Sequence, residues 1–302
     1  MEESAVKGIV ILLLSTFGLF GNFNIVIATC RKRKLRNKAG ILISLLAVYD
    51  TICLIMLMGG GVRMITGVIL DRATCFRTNI VYFCTQMISA STLIGLASDR
   101  LMAVSLPIRY IYHHVAYTLI FSSLPGVILS AVFTILGIIH IGEDNIVAPV
   151  CLPNNLLPPW IQEYSNWTLL SMHSIVVVIY SSAYLVLFFQ KRRHLKKSDL
   201  LSSLENHERA MKSITAFLVV FIVSWFLNRI IFIVIAPISD YTNSIYIDII
   251  KTSAAVPVLI SYSHCYYVYF WRSSEYRAAF IEQLTMCGVL KRKSYKSAVT
   301  SL

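Results

Sequence analysis

The pair Asp99-Arg100 follows a stretch, Thr78 to Ser98, that contains no charged residue. A guanidinium stays charged and carries donors for a carboxylate and for backbone carbonyls at once, which suits a reversible ionic contact at the edge of an apolar region. Asp50 stands inside another apolar run, where a carboxylate requires a cation, a proton or a water-filled cavity. Arg229 poses the same requirement with the opposite sign, while Asn22 and Ser89 are uncharged insertions of the kind that make interhelical hydrogen bonds. No hydrolase motif, zinc constellation or phosphate-binding loop occurs, so an enzyme is not expected. The chemistry these residues offer is binding and switching.

Composition sets the elements that must carry them. Of 302 residues, 57% are hydrophobic and 14% charged, against roughly 25% charged in an ordinary soluble domain. Apolar runs long enough to cross the hydrocarbon core predict seven spans, at about 8–30, 41–62, 78–103, 115–141, 167–190, 213–238 and 246–270. The seventh starts with Asp248 and Lys251 and is rich in Tyr and Ser, so hydropathy alone reads it almost as readily as an amphipathic surface helix. Basic residues settle the count. Six lie in "RKRKLRNK" after span 1, seven between spans 5 and 6, and six after Tyr269, while the loop after span 4 carries Glu143, Asp144 and Glu163. The positive-inside rule then puts the N-terminus outside and the C-terminus in the cytoplasm, which requires an odd number of spans. The start, "MEESAVK", is acidic where a secretory signal is basic, so span 1 is expected to remain as an anchor. The net charge of +12 is dispersed among short loops, which membrane topology explains and nucleic-acid binding does not.

That topology sorts the seven cysteines. Cys75 and Cys151 fall outside, in an oxidising compartment, where a disulfide between them is expected and two free thiols are the alternative. Cys53, Cys84 and Cys265 lie within spans and read as small buried side chains. Cys287 and, less strongly, Cys30 are candidates for palmitoylation at the cytoplasmic face. The sequon Asn166-Trp167-Thr168 is a glycosylation candidate close to span 5.

Several spacings together carry a resemblance. Gly21-Asn22 precedes Asp50 by 28 positions, counted from Asn22, and Cys75 precedes Arg100 by 25. Asp99-Arg100-Leu101 is followed by Pro107 and Tyr110; Phe221-x-x-x-Trp225 lies in span 6, and Tyr269 is followed by Tyr276 in "YFWRSSEYRAAF". In this order, over residues 18–284, the chain resembles a rhodopsin-like (class A) G-protein-coupled receptor. It departs from that pattern at Cys265 and Tyr266, where the family has Asn and Pro, at Leu227 in place of a proline, and in the absence of a span 5 proline and a span 4 tryptophan. Fewer prolines imply fewer preformed kinks. "CFRTNIVYF", "DRLMAVSLPIRY" and "VYFWRSSEYRAAF" make it most similar to nematode serpentine chemoreceptors of class sx.

The resemblance implies an all-α membrane protein, a seven-transmembrane helix bundle with a short amphipathic eighth helix over residues 1–284, then a basic cytoplasmic tail, 285–302. It implies a chemosensory receptor in which Asp99 holds Arg100 until the sixth helix swings outward, with Phe221, Trp225 and Tyr269 serving activation. The acidic position of the sixth helix is His207, and Glu208 beside it is rotated by about 100°, so ligand-independent activity is expected. A ligand pocket is implied at Tyr82, Gln86, His173, Trp225, Arg229 and Lys251, for a small anionic or strongly polar ligand on Arg229; neutralisation of Arg229 by Asp248 is the alternative. Asp50 and Ser89 match a sodium site, yet Cys265 replaces a third ligand, which leaves water or a proton as the alternative; no cofactor is required. The partners implied are a heterotrimeric G protein, a small-molecule or peptide ligand and membrane lipids, with no nucleic acid, in the cell membrane of sensory neurons and their cilia. A neuropeptide receptor of the same fold is the nearest alternative; a transporter or channel fits less well, since the count is odd and no inverted repeat is present.

Overall fold

The computed structural model describes residues 2–112, 114–141, 147–148, 151, 157–193, 215, 219–228 and 255–286. Its helices, in chain order, are α1 (Glu2–Arg31), α2 (Lys38–Thr66), α3 (Arg72–Ser105), a short α4 (Pro107–Tyr112), α5 (Val115–His140) and α6 (Pro159–Arg193). Then come α7 (Val219–Asn228), α8 (Ala255–Ser263), α9 (Cys265–Arg272) and α10 (Ser274–Met286). Five of them, α1, α2, α3, α5 and α6, are long and apolar enough to cross a membrane. These are the first five predicted spans; of the sixth and seventh, the described parts are α7 and the segment from Ala255 onward.

Every one of the five except α5 is longer than its apolar run. The clearest difference is α6, which starts eight residues before the predicted 167. Pro159 supplies the preset φ of a first helical residue, Trp160 packs edge-on against His140 at 5.3 Å, and Ile161 is fully buried. Hydropathy missed this turn because its residues pack on protein beyond the apolar core. Starts and stops elsewhere follow local chemistry. Asn37 and Asp71 cap α2 and α3, accepting from the backbone N–H of Gly40 at 2.8 Å and Thr74 at 3.0 Å. Gly67, at φ 69°, ends α2 in the left-handed conformation that only glycine adopts freely.

The helix α3 is central, packing on α2, α5 and α6. Its contact with α5 depends on small residues: a Cβ at Gly126 would stand 2.7 Å from the Ile88 Cα, and one at Gly95 would collide with Ser122. At one end, β1 (Leu70–Asp71) pairs antiparallel with β2 (Val147–Ala148), and the Cys75–Cys151 disulfide, Cα–Cα 5.6 Å, ties this ribbon to α3. The expected bridge is therefore made. Arg100 lies 25 residues further along α3, about 37 Å at 1.5 Å per residue, so the disulfide and the ion pair mark opposite ends of the bundle.

The helix containing Tyr262 and Tyr269 bends without a proline at the bend. It is interrupted at His264, whose Nδ1 lies 3.1 Å from the Ile260 carbonyl oxygen and 2.9 Å from that of Ser261. A side chain that engages the ladder's own acceptors is one of the recognised causes of a kink. Beyond Ser273, in extended conformation, α10 turns away and buries Tyr276, Ala279 and Phe280 against α1 and α9.

Candidate functional site

At the Arg100 end, the Asp99 side chain is almost fully buried and accepts from Arg100 Nη2 at 2.8 Å. The same oxygen, Oδ2, accepts from the Tyr110 hydroxyl at 3.3 Å. Tyr110 reaches it from α4, and α4 is held by Lys38, whose ammonium donates to the Tyr110 carbonyl and lies 4.0 Å from the centre of its ring. Burial and the neighbouring Asp99 charge push the Tyr110 hydroxyl up to about 12, so it remains a donor at physiological pH. Arg100 lies within electrostatic reach of the phenols of Tyr180, Tyr269 and Tyr276. The rings of Tyr269 and Tyr276 stack at 5.0 Å across the turn between α9 and α10.

Deeper in the bundle, His173 of α6 packs on Phe221 at 5.1 Å and on Trp225 at 4.8 Å, both from α7. Trp225 meets Tyr262 at 6.5 Å, and the Tyr262 hydroxyl shares a 3.2 Å hydrogen bond with that of Tyr82 on α3. Three of the expected pocket residues, Tyr82, His173 and Trp225, therefore share one aromatic cluster. Gln86 is half-buried one turn further along α3. Arg229 and Lys251 lie outside the described residues, as do Asp248, His207, Glu208 and Cys287.

Between the cluster and Arg100 lies Asp50, buried, with Cys53, Cys265 and Tyr262 as its electrostatic neighbours. Ser89 is buried on α3, and Asn22 donates to the Tyr262 carbonyl at 3.0 Å. Two thiols and a phenol are soft or weak partners for a hard cation, which prefers carboxylate and carbonyl oxygens. Neither Cys53 nor Cys265 therefore adds a good ligand for sodium beside Asp50. Asn166 sits inside α6, where its side chain accepts from Gln162 at 3.2 Å.

Three contributors were not singled out from the sequence. Lys38 and Tyr262 act through contacts 72 and 180 residues apart that no local pattern signals. Arg63 did carry a signal, a cation beside Gly59-Gly60-Gly61 in an apolar run. Its guanidinium lies back over Gly59 and Gly60, toward the start of α2 as helical side chains do, and its buried Nε and Nη2 have no hydrogen-bond partner among the described residues.

A family model for serpentine-type seven-transmembrane G-protein-coupled chemoreceptors, Srsx, matches residues 15–284. That range includes the disulfide, the aromatic cluster, Asp50 and the Asp99-Arg100 pair, and it leaves out only the two ends of the chain. With a helical membrane bundle organised around the disulfide-tethered α3, the chain belongs to the Srsx family of serpentine chemoreceptors.

Proposed function

We propose that this receptor binds a small anionic ligand at the disulfide end, which faces outside, and answers by releasing Arg100 to a heterotrimeric G protein in the cytoplasm. The observation that carries the coupling is a run of aromatic contacts, His173 on Trp225 and Trp225 on Tyr262, followed two helical turns further on by the paired Tyr269 and Tyr276, which lie within electrostatic reach of Arg100. Tyr262 on α8 and Cys265 and Tyr269 on α9 keep helical spacing across the interruption at His264 and are all buried, so a shift of Trp225 is passed along the buried side of the two helices. The ligand's sign is read from Arg63. A guanidinium whose buried N–H groups have no hydrogen-bond partner among the described residues has the donors that carboxylates and phosphates fill, and Arg229 adds a second cation in the sequence of the sixth span.

Release of Arg100 means breaking its bond to Asp99 and offering its planar donors to backbone carbonyls of a partner helix. Asp50 takes part as a buried polar group holding a proton or water, with no sodium required. The N-terminus lies outside and the C-terminus in the cytoplasm, as the loop charges require.

The test is nucleotide exchange on purified Gα subunits by the full-length receptor in nanodiscs, with a panel of carboxylates and phosphates as ligands. Stimulation by wild type that is lost in Arg100→Ala, and weakened at least tenfold in Arg63→Gln, is the expected result. Exchange unaffected by Arg100→Ala would overturn the coupling; a neutral or cationic agonist indifferent to Arg63 would overturn the ligand class.

A further inference from the structure

A cavity of about 360 Å³ opens between α2, α3, α4 and α5 at the Arg100 end, far from the aromatic cluster. Its floor is where Gly95 meets Ser122, a contact too close to admit a side chain on the glycine. Ile94, Met102, Phe121 and Pro125 form apolar walls. Phe121 is 71% exposed and Tyr117 56%, so the mouth opens sideways, toward lipid, between α3 and α5. The charged groups gather at the end nearest the ion pair, Lys38 and Asp99 with Tyr110 and Thr118 beside them, while at the floor the hydroxyls of Ser91 and Ser122 donate to the backbone carbonyls of Ser122 and Leu119.

We propose that this cavity is a regulatory site for a long-chain fatty acid drawn from the adjoining leaflet, with its alkyl chain along the apolar walls and its carboxylate on Lys38. The volume is near the lower end of the ~300–1,000 Å³ typical of ligand pockets, which admits one alkyl chain and not the two of a phospholipid. Charge decides the head group. An ammonium has three donors, of which Lys38 gives one to the Tyr110 carbonyl. Lys38 also closes a segment that holds Arg31, Lys32, Arg33, Lys34 and Arg36. The acidic side chain on the wall, Asp99, is already committed to Arg100 at 2.8 Å and to Tyr110.

Occupancy acts on signalling because Tyr110 and Asp99 are part of the wall. A ligand that fits the cavity with Tyr110 on Asp99 binds that arrangement best and shifts the population toward it. The fatty acid is therefore a negative modulator of Arg100 release. This regulatory half rests on the reading of Arg100 as the coupling residue; the binding half does not.

The two halves are tested separately, on the full-length receptor in nanodiscs of neutral phosphatidylcholine. A diazirine-bearing palmitate is photolysed and the labelled peptides are identified by mass spectrometry, with oleate and oleyl alcohol as competitors. Labelling is expected on residues 94–102 and 117–125, with oleate displacing it at about tenfold lower concentration than the alcohol. Lys38→Gln should erase that preference and Lys38→Arg keep it, while Ser98→Phe, which fills the cavity, should reduce labelling about fivefold at unchanged thermal midpoint. Label spread evenly over the lipid-facing helices, equal potency of the two competitors on wild type, or insensitivity to Ser98→Phe would each overturn the site. For regulation, oleate at a concentration that just saturates wild type should lower its basal nucleotide exchange about threefold, and Lys38→Gln should need about tenfold more oleate for the same decrease. Binding without that decrease overturns the modulation alone, whereas a receptor that binds the label but never stimulates exchange overturns the coupling reading and the modulation with it.

Discussion

Tyr110 and Arg100 share a single acceptor, Oδ2 of Asp99, the tyrosine at 3.3 Å and the arginine at 2.8 Å. Leu101, next to Arg100, has no donor to offer; the hydroxyl comes instead from α4, eleven residues after Asp99. A carboxylate held from two sides is ordered before it pairs with the guanidinium. Removing the tyrosine hydroxyl loosens the pair without deleting either charge.

Tyr110→Phe is expected to raise basal nucleotide exchange about fivefold, since one hydrogen bond contributes roughly 1 kcal/mol. Asp99→Asn should raise it further, and Tyr110→Phe should add little in that background, because two substitutions on one contact are not additive. Full additivity would show that Tyr110 acts elsewhere. Burial and Asp99 hold the Tyr110 hydroxyl up to about 12, so this restraint should not change between pH 7 and pH 9.

The His173 ring contacts two aromatic partners, Phe221 and Trp225. Each aromatic pair is worth about 0.5–1.5 kcal/mol beyond its buried area. His173→Ala should therefore shift the half-maximal ligand concentration tenfold or more, while His173→Phe, which keeps a flat ring, should stay within about threefold. Concentration–response curves at matched surface expression decide this; equal curves for wild type and His173→Ala would remove the cluster from the signalling path.

The disulfide closes a loop between residues 76 positions apart and anchors the β1–β2 ribbon. Cys151→Ser is expected to cost about 2–4 kcal/mol of stability, seen as a lower thermal midpoint and reduced surface expression. Reductant added to intact cells should reproduce the loss in wild type and do nothing further to the variant. A second effect of reductant on Cys151→Ser would point to other reactive thiols.

The thiols beside Asp50 lead to a prediction about salt. Replacing sodium by choline at constant ionic strength should leave both thermal midpoint and ligand affinity unchanged. Cys265→Asn, which restores an oxygen ligand, should make them sodium-dependent. A sodium effect on wild type that Asp50→Asn abolishes would show that the cation binds despite the thiols.

Much of this architecture was legible because the bilayer imposes one simple rule, a long apolar run for each crossing, and α1, α2, α3, α5 and α6 all obey it. The disulfide followed from topology, and Asp99-Arg100 from its place at the end of a charge-free stretch. What escaped was whatever depends on packing. The first turns of α6 are fixed by Pro159 and Trp160 against His140, and hydropathy carries no record of such contacts. The bend at His264 arises from a ring nitrogen beside two carbonyls, invisible to a rule that seeks prolines. Lys38 looked like one more basic loop residue until α4 brought Tyr110 under it.

The contact between Asn22 and Tyr262 spans 240 residues, and those of Lys32 with Glu282 and Tyr267 with Phe17 span 250. Residues of α1 and of the turn after it are therefore made 240 to 250 residues ahead of these partners. Until Tyr262 emerges, the Asn22 amide faces lipid or water with no carbonyl to receive it, at a cost that a bilayer makes steep. A chain cut before Tyr262 thus carries an exposed polar group on α1, and the packing of α8, α9 and α10 against that helix removes it.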